Sequence, residues 1–114
     1  MHELSIALGI LKIAEQEAAK AKAKKVEAIE LEIGTLAGVE LDALEFVWPS
    51  VTKDTILENS KKDIITIEGE AKCVDCDAVF PVENYYDNCP ICQSNFKSIL
   101  KGRELRVKAL EISE

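Results

Sequence analysis

Apolar residues recur at three- and four-residue steps near the start of the chain: Leu4, Ala7, Leu8, Leu11, Ala14 and Ala18. This spacing predicts an amphipathic helix over residues 3–24 with its apolar stripe turned to a core. Lys20, Lys22, Lys24 and Lys25 gather near its end, where the helix dipole favours cations. From Val26 to Ile33 the period drops to two. Ile29, Leu31 and Ile33 alternate with Glu30 and Glu32, which predicts a strand with the two glutamates on its solvated face. Gly34 to Gly38 reads as a turn. Helical spacing returns over Glu40 to Leu57 in Leu41, Leu44, Phe46, Val47, Val51 and Leu57. Pro49 stands inside that run and predicts a break near Trp48-Pro49. Ile64 to Glu70 reads as one strand, and Phe96 to Leu100 and Glu104 to Ile112 as two more around a turn at Lys101-Gly102. The last of these shifts phase from Ala109 to Leu110, as a bulge would make it do.

Between those strands the periodicity lapses and cysteines take over. Cys73-Val74-Asp75-Cys76 and Cys89-Pro90-Ile91-Cys92 form two C-x-x-C knuckles that use all 4 cysteines of the chain. Each knuckle sets two thiolates on one side of a tight loop. Two facing knuckles make a closed four-sulfur cage of the kind that holds a structural zinc ion, or a single iron. The competing readings are two disulfides or a redox dithiol. Met1-His2-Glu3 opens no secretory signal, so the expectation is a cytoplasmic chain with reduced thiols. The segment 71–97 has few large apolar residues, chiefly Val79, Phe80, Tyr85, Tyr86, Ile91 and Phe96. A unit that small commonly needs a metal staple.

The expected architecture is therefore α+β. Two helices pack on a three-stranded sheet built from residues 1–70 and 101–114, and a four-cysteine, zinc-ribbon-like domain, 71–100, is inserted in it. A chain of 114 residues suits one compact domain or two small lobes. No apolar run is long enough to span a bilayer. The net charge is −7, and Asp75, Asp77, Glu83 and Asp87 lie around the knuckles against Lys72 and Lys97. Such a surface repels a phosphate backbone, so proteins or cations are better partners than nucleic acid.

His2 is the only histidine. At position two, the amine of Met1, the deprotonated amide of His2 and its imidazole can wrap one metal in a plane. That donor set suits Ni²⁺ or Cu²⁺ and not Zn²⁺. A large second residue protects the initiator methionine, so Met1 is expected to supply the amine. The alternative is an ordinary frayed terminus. Glu3, Glu40 and Asp42 are carboxylates that could add an oxygen ligand, or simply favour the starts of their helices.

These pieces together resemble the HypA/HybF family of hydrogenase nickel-incorporation proteins. The likeness rests on Met1 to Ala7, Ile33 to Val39, the two knuckles at their spacing, and Gly102 to Val107, and it covers essentially the whole chain. It implies a nickel metallochaperone that delivers Ni²⁺ to the large subunit of [NiFe]-hydrogenase, working with a HypB-type GTPase, as a monomer or weak homodimer. It implies His2 as the essential nickel ligand, with Met1 and Glu3 beside it and Glu40 where some members carry an acidic ligand. Cys73, Cys76, Cys89 and Cys92 match the zinc ligands. Some members carry a histidine just after the second knuckle. Here Ser94-Asn95-Phe96 stands there, which leaves a carboxylate, a backbone nitrogen, water or a partner's group as the fourth nickel ligand. Without the N-terminal likeness, the knuckles alone would suit a zinc-ribbon adaptor that binds other proteins, or a rubredoxin-like iron carrier. An enzyme fits least, since the chain offers no nucleophile–base pair and a closed cage leaves no open metal position.

Overall fold

The computed structural model describes residues 3–113; the nickel-ligand expectations on Met1 and His2 lie outside the described residues. The described chain divides into two compact units. The first comprises the residues up to Glu32, Val39–Ile65, and those from Arg106 on; the second comprises Ile33–Gly38 and Thr66–Leu105.

In the first unit, helix α1 (Glu3–Lys20) buries Ala7, Ile10, Leu11, Ala14 and Ala18 along one stripe. Leu4 and Leu8, expected in that stripe, are about half exposed; Ile10 takes the buried place. The helix also stops before residue 24. The Ala23 N–H reaches back to the Ala18 carbonyl at 2.9 Å and the Lys22 N–H to Ala19 at 3.1 Å. Lys22 takes a positive φ of 57°, so the termination has the form of a Schellman motif.

Helix α2 (Leu41–Thr52) buries Leu44, Trp48 and Thr52. It runs straight through Pro49, contrary to the expected break. A proline strands the carbonyl four residues before it, here that of Glu45. Glu45 and Pro49 both lie on the exposed face, where that carbonyl is not forced into the core, and the helix survives. The helix ends at Thr52, whose hydroxyl donates to the Trp48 carbonyl at 2.9 Å. Leu57, expected inside the helix, is instead buried in the turn that follows.

Strand β1 (Lys25–Gly34) is central in a three-stranded sheet, between β2 (Lys61–Ile67) and β6 (Leu105–Ser113). Ile29, Leu31 and Ile33 are buried from it, as the alternation requires, and Val26 is buried out of phase with them. Glu32 is buried as well, because Arg106 on β6 pairs with its carboxylate, while Glu30 is half-buried near Lys108 at 3.9 Å. The expectation that both glutamates face water thus fails for Glu32 and holds in part for Glu30. Neighbouring-strand cations cover them. Along β6 the half-buried positions are Val107, Leu110 and Ser113, a step of three in place of the expected alternation, with Leu105, Ala109 and Ile112 exposed.

The second unit holds a separate sheet in the order β4-β3-β5: β3 (Gly69–Cys73), β4 (Val79–Val82) and β5 (Lys97–Lys101), paired antiparallel. The expected single strand Ile64–Glu70 is therefore two, divided at Glu68, and they feed different sheets. Leu36, Ala71, Cys73, Phe80, Val82 and Cys89 form the core, with Ala78 and Ile99 packed against it. Three glycines let backbones meet inside this unit. A Cβ on Gly34 would lie 1.9 Å from the Gly102 carbonyl oxygen, and one on Gly102 would lie 2.6 Å from the Gly69 Cα. The Leu36 N–H donates to that Gly102 carbonyl at 2.7 Å. Gly102 also has φ 116°, a conformation only glycine adopts without strain.

Candidate metal centre

Both knuckles are built alike. Cys73 ends β3, and the Asp77 N–H donates back to its carbonyl at 3.0 Å. The Gln93 N–H does the same to Cys89 at 2.9 Å. The cysteine opening each knuckle donates its own N–H forward across the turn, Cys73 to Ala78 at 2.8 Å and Cys89 to Ser94 at 3.0 Å. In each, the residue after the second cysteine swings to positive φ, 62° at Asp77 and 66° at Gln93. These are positions that glycine would fill without strain, and the turns hold their shape without it.

The turns bring four sulfurs together. All four Sγ atoms lie within 4.8 Å of one another. Cys73 Sγ is 3.5 Å from Cys92 Sγ, and Cys76 Sγ is 3.6 Å from Cys89 Sγ. A disulfide needs sulfurs about 2.05 Å apart, and all four cysteines are free. Four thiolates at ~2.3 Å from one ion would stand about 3.8 Å apart at the corners of a tetrahedron. The observed spacing matches that cage, and the soft all-sulfur donor set suits zinc.

Cys73 and Cys89 are buried in the core, while Cys76 and Cys92 are exposed. Without a metal the thiols do not titrate alike. N–H donors at Cys92 and Ile91 hold the Cys89 thiol down to about 7, against the effect of burial. Cys76 receives an N–H from Ala78, yet local desolvation and the crowding of the Cys89, Cys73 and Cys92 thiols push it up to about 12. Cys92 is raised as well, despite an N–H from Ser94, because the neighbouring Cys73 thiol and local desolvation outweigh it.

Two features around the cage were not foreseen. The Ser94 hydroxyl donates to the Asp75 carboxylate, tying one knuckle to the other, and accepts the Phe96 N–H at 3.1 Å. Asp87 accepts the N–H groups of Glu83 and Asn84 at 2.9 and 3.1 Å. Those two bonds hold its carboxyl below the usual range. Asp75 and Asp87 entered the sequence reading only as negative charge; a short polar side chain beside a turn was the available signal.

At the other end of the chain, Glu3 is buried at 7 % exposure. Its carboxylate accepts the Glu40 N–H at 3.0 Å. Glu40 is the N-cap of α2 and makes no side-chain cap of its own. Glu3 therefore supplies the cap from α1 and draws the starts of both helices together. Asp42 lies in the first turn of α2, where its charge suits the dipole. The structure thus unites Glu3 with Glu40 and unites the four cysteines.

Fold and cage together define a small two-unit α+β protein with one four-thiol metal centre among the described residues. The family model for hydrogenase/urease nickel incorporation, metallochaperone, HypA, matches residues 1–112. The chain is 46 % identical to the hydrogenase maturation factor HypA of Parabacteroides distasonis, over 100 % of this chain and 99 % of that one. It is 41 % identical to the same-named factor of Azotobacter chroococcum, over 98 % and 99 %. The solution structure of the Ni metallochaperone HypA from Helicobacter pylori superposes with a TM-score of 0.72 at 26 % identity, covering 99 % of this chain and 98 % of that one. The chain belongs to the HypA family of nickel-incorporation metallochaperones.

Proposed function

We propose that this protein is a cytoplasmic metallochaperone that takes up Ni²⁺ at its N-terminus and delivers it to the large subunit of a [NiFe]-hydrogenase. Its partners are that subunit and a HypB-type GTPase; it acts as a monomer or weak homodimer and catalyses no reaction of its own. The full-length likeness to hydrogenase maturation factors carries this reading. Nickel is cargo, and its donors are the Met1 amine, the His2 amide nitrogen and the His2 imidazole. Planar nitrogen donation of that kind selects Ni²⁺ over Zn²⁺. Such a site opens when the amide is reprotonated, so it can hold and yet release its ion. Glu3 and Glu40 stand as supporting carboxylates, and the Glu3–Glu40 bond supports a role for Glu3 in setting the shape of this end of the unit.

Cys73, Cys76, Cys89 and Cys92 hold a resident zinc ion. When bound, that ion supplies cross-linking of the two knuckles and no open coordination position for chemistry. Ligand type keeps the two metals apart: thiolates for zinc, nitrogens for nickel.

The test is calorimetric nickel titration of untagged protein beside elemental analysis. His2→Ala is expected to abolish specific nickel uptake and leave zinc content unchanged. Unchanged nickel affinity in that variant would sink the nickel assignment and leave a zinc-ribbon protein-binding adaptor. Delivery is read separately, by whether the purified protein restores nickel to an immature hydrogenase large subunit.

A further inference from the structure

The geometry points to a thiol-oxidation site in the cage, in which the cysteines pair across the knuckles, Cys73 with Cys92 and Cys76 with Cys89. This rests on the four-thiolate reading of the site and is independent of the nickel role. Two sulfur contacts of hydrogen-bond geometry, 3.5 and 3.6 Å, join one knuckle to the other, within a cage whose four sulfurs all lie within 4.8 Å of one another. Each pair, like each knuckle, contains one exposed and one buried cysteine, so the sulfur contacts and not burial select the partners. Cys76 and Cys92 are open to an oxidant, while Cys73 and Cys89 sit behind them in the core.

The oxidant is a small peroxide. The exposed Cys92 thiolate attacks one peroxide oxygen, the O–O bond breaks, and Cys92 becomes a sulfenic acid as hydroxide leaves. The buried Cys73 thiolate then attacks that sulfur, forming the S–S bond and expelling a second hydroxide. The two sulfurs lose two electrons and the peroxide gains them. Cys76 and Cys89 react alike, so complete oxidation consumes two peroxides per chain.

The pairing decides the consequence. Oxidation removes all four thiolate donors, so the site can no longer hold a metal. Bonds within each knuckle would leave the two halves of the unit untethered. Bonds between knuckles join the end of β3 to the loop before β5, where the cage joins them. The oxidised unit therefore keeps its core while losing its metal, and a dithiol reductant restores the site.

No lysine or arginine lies between Cys73 and Phe96, but Glu83 does. The experiment oxidises zinc-loaded protein with hydrogen peroxide, blocks residual thiols, and cleaves after Glu83 with a glutamate-specific protease without reduction. A zinc-binding dye follows metal release in parallel. The expected products are two knuckle peptides still joined, lighter by the four thiol hydrogens. Fragmentation at the Cys89-Pro90 bond, combined with backbone breaks between Cys73 and Cys76, should assign Cys73 to Cys92 and Cys76 to Cys89. Release of zinc should track the peroxide consumed, and reduction should restore binding. Knuckle peptides that separate, a Cys73–Cys89 or Cys76–Cys92 bond, or zinc loss with sulfinic acids in place of disulfides would each overturn the proposal. The bond assignment is read by mass alone, so it stands or falls whatever the nickel titration shows.

Discussion

At the scale of single residues, Glu3 shows most clearly what a sequence can and cannot disclose. A glutamate in the first turn of a helix is satisfied by that helix's own dipole, and nothing local says more. Its partner is 37 residues away, the Glu40 N–H that opens α2. Only folding brings the two together, so the cap was not legible in advance. Removing a cap costs about 1 kcal/mol, within a range of 0.5–2. Glu3→Ala is therefore expected to lower the melting temperature of the first unit by several degrees, about 4–8 °C per kcal/mol for a unit of this size. Glu3→Gln keeps an acceptor oxygen and should recover most of the loss. Scanning calorimetry of the two variants checks this. Equal losses would mean that the carboxylate charge, and not its bond to Glu40, stabilises the helix start. The cysteines are the opposite case. Their spacing encodes the turn, the turn encodes the sulfur positions, and the whole cage was readable before any fold was known.

Elements divide along the same line. Where the apolar period is long and regular, as in α1 and β1, the type of element was legible, but the buried face only in part: Ile10 replaces Leu4 and Leu8 in the α1 stripe, and Glu32 of β1 is buried. Where the deciding factor is a neighbour, neither was. Strand β4 has four residues, one of them Pro81, and carries no alternation longer than Phe80 and Val82. Its pairing with β3 makes it a strand. Helix α2 failed the forecast for a related reason: the cost of Pro49 depends on which face its stranded carbonyl meets. That cost is still present, which makes it measurable. Proline inside a helix costs about 3 kcal/mol, and its rigidity in the unfolded chain returns about 0.4–1. Pro49→Ala is thus expected to stabilise the first unit by about 2 kcal/mol, read as a rise in the denaturant midpoint at unchanged slope. A loss of stability would mean that the helix is distorted at Pro49 to a purpose. In the second unit the turn Glu83 to Asp87 is held by the Asp87 carboxylate. A carboxyl held below its usual range stabilises the fold above its unfolded value, about 3.9. That contribution fades as pH falls through the depressed value. Asp87→Asn should therefore speed amide exchange at Glu83 and Asn84 at neutral pH, and its difference from the native chain should vanish in acid.

For the whole molecule, the decisive fact is that the two units hold together by different means. The first has a conventional core of Val26, Ile29, Leu31, Leu44 and Leu57, all essentially fully buried. The second has six buried core members, and two of them, Cys73 and Cys89, belong to the cage. Large side chains that could have enlarged that core, Tyr86, Ile91 and Phe96, stand mostly exposed. Metal binding is therefore expected to supply a large part of the folding free energy of the second unit and little of that of the first. Stripping the metal should unfold one and spare the other. The chain offers a clean reporter for each. Trp48, the single tryptophan, is buried in α2 with Lys62 over its ring at 5.5 Å. Both tyrosines lie in the second unit, where the Tyr85 hydroxyl donates to the Leu36 carbonyl at 2.9 Å. On titration with a strong chelator at neutral pH, the tyrosine near-ultraviolet signal should collapse as metal leaves, while tryptophan emission stays at its native wavelength. Cys76→Ala should reach the same end without chelator, because three thiolates make a weaker, open site. If tryptophan emission moves to the red together with the tyrosine signal, the units unfold as one, and the metal stabilises the entire chain.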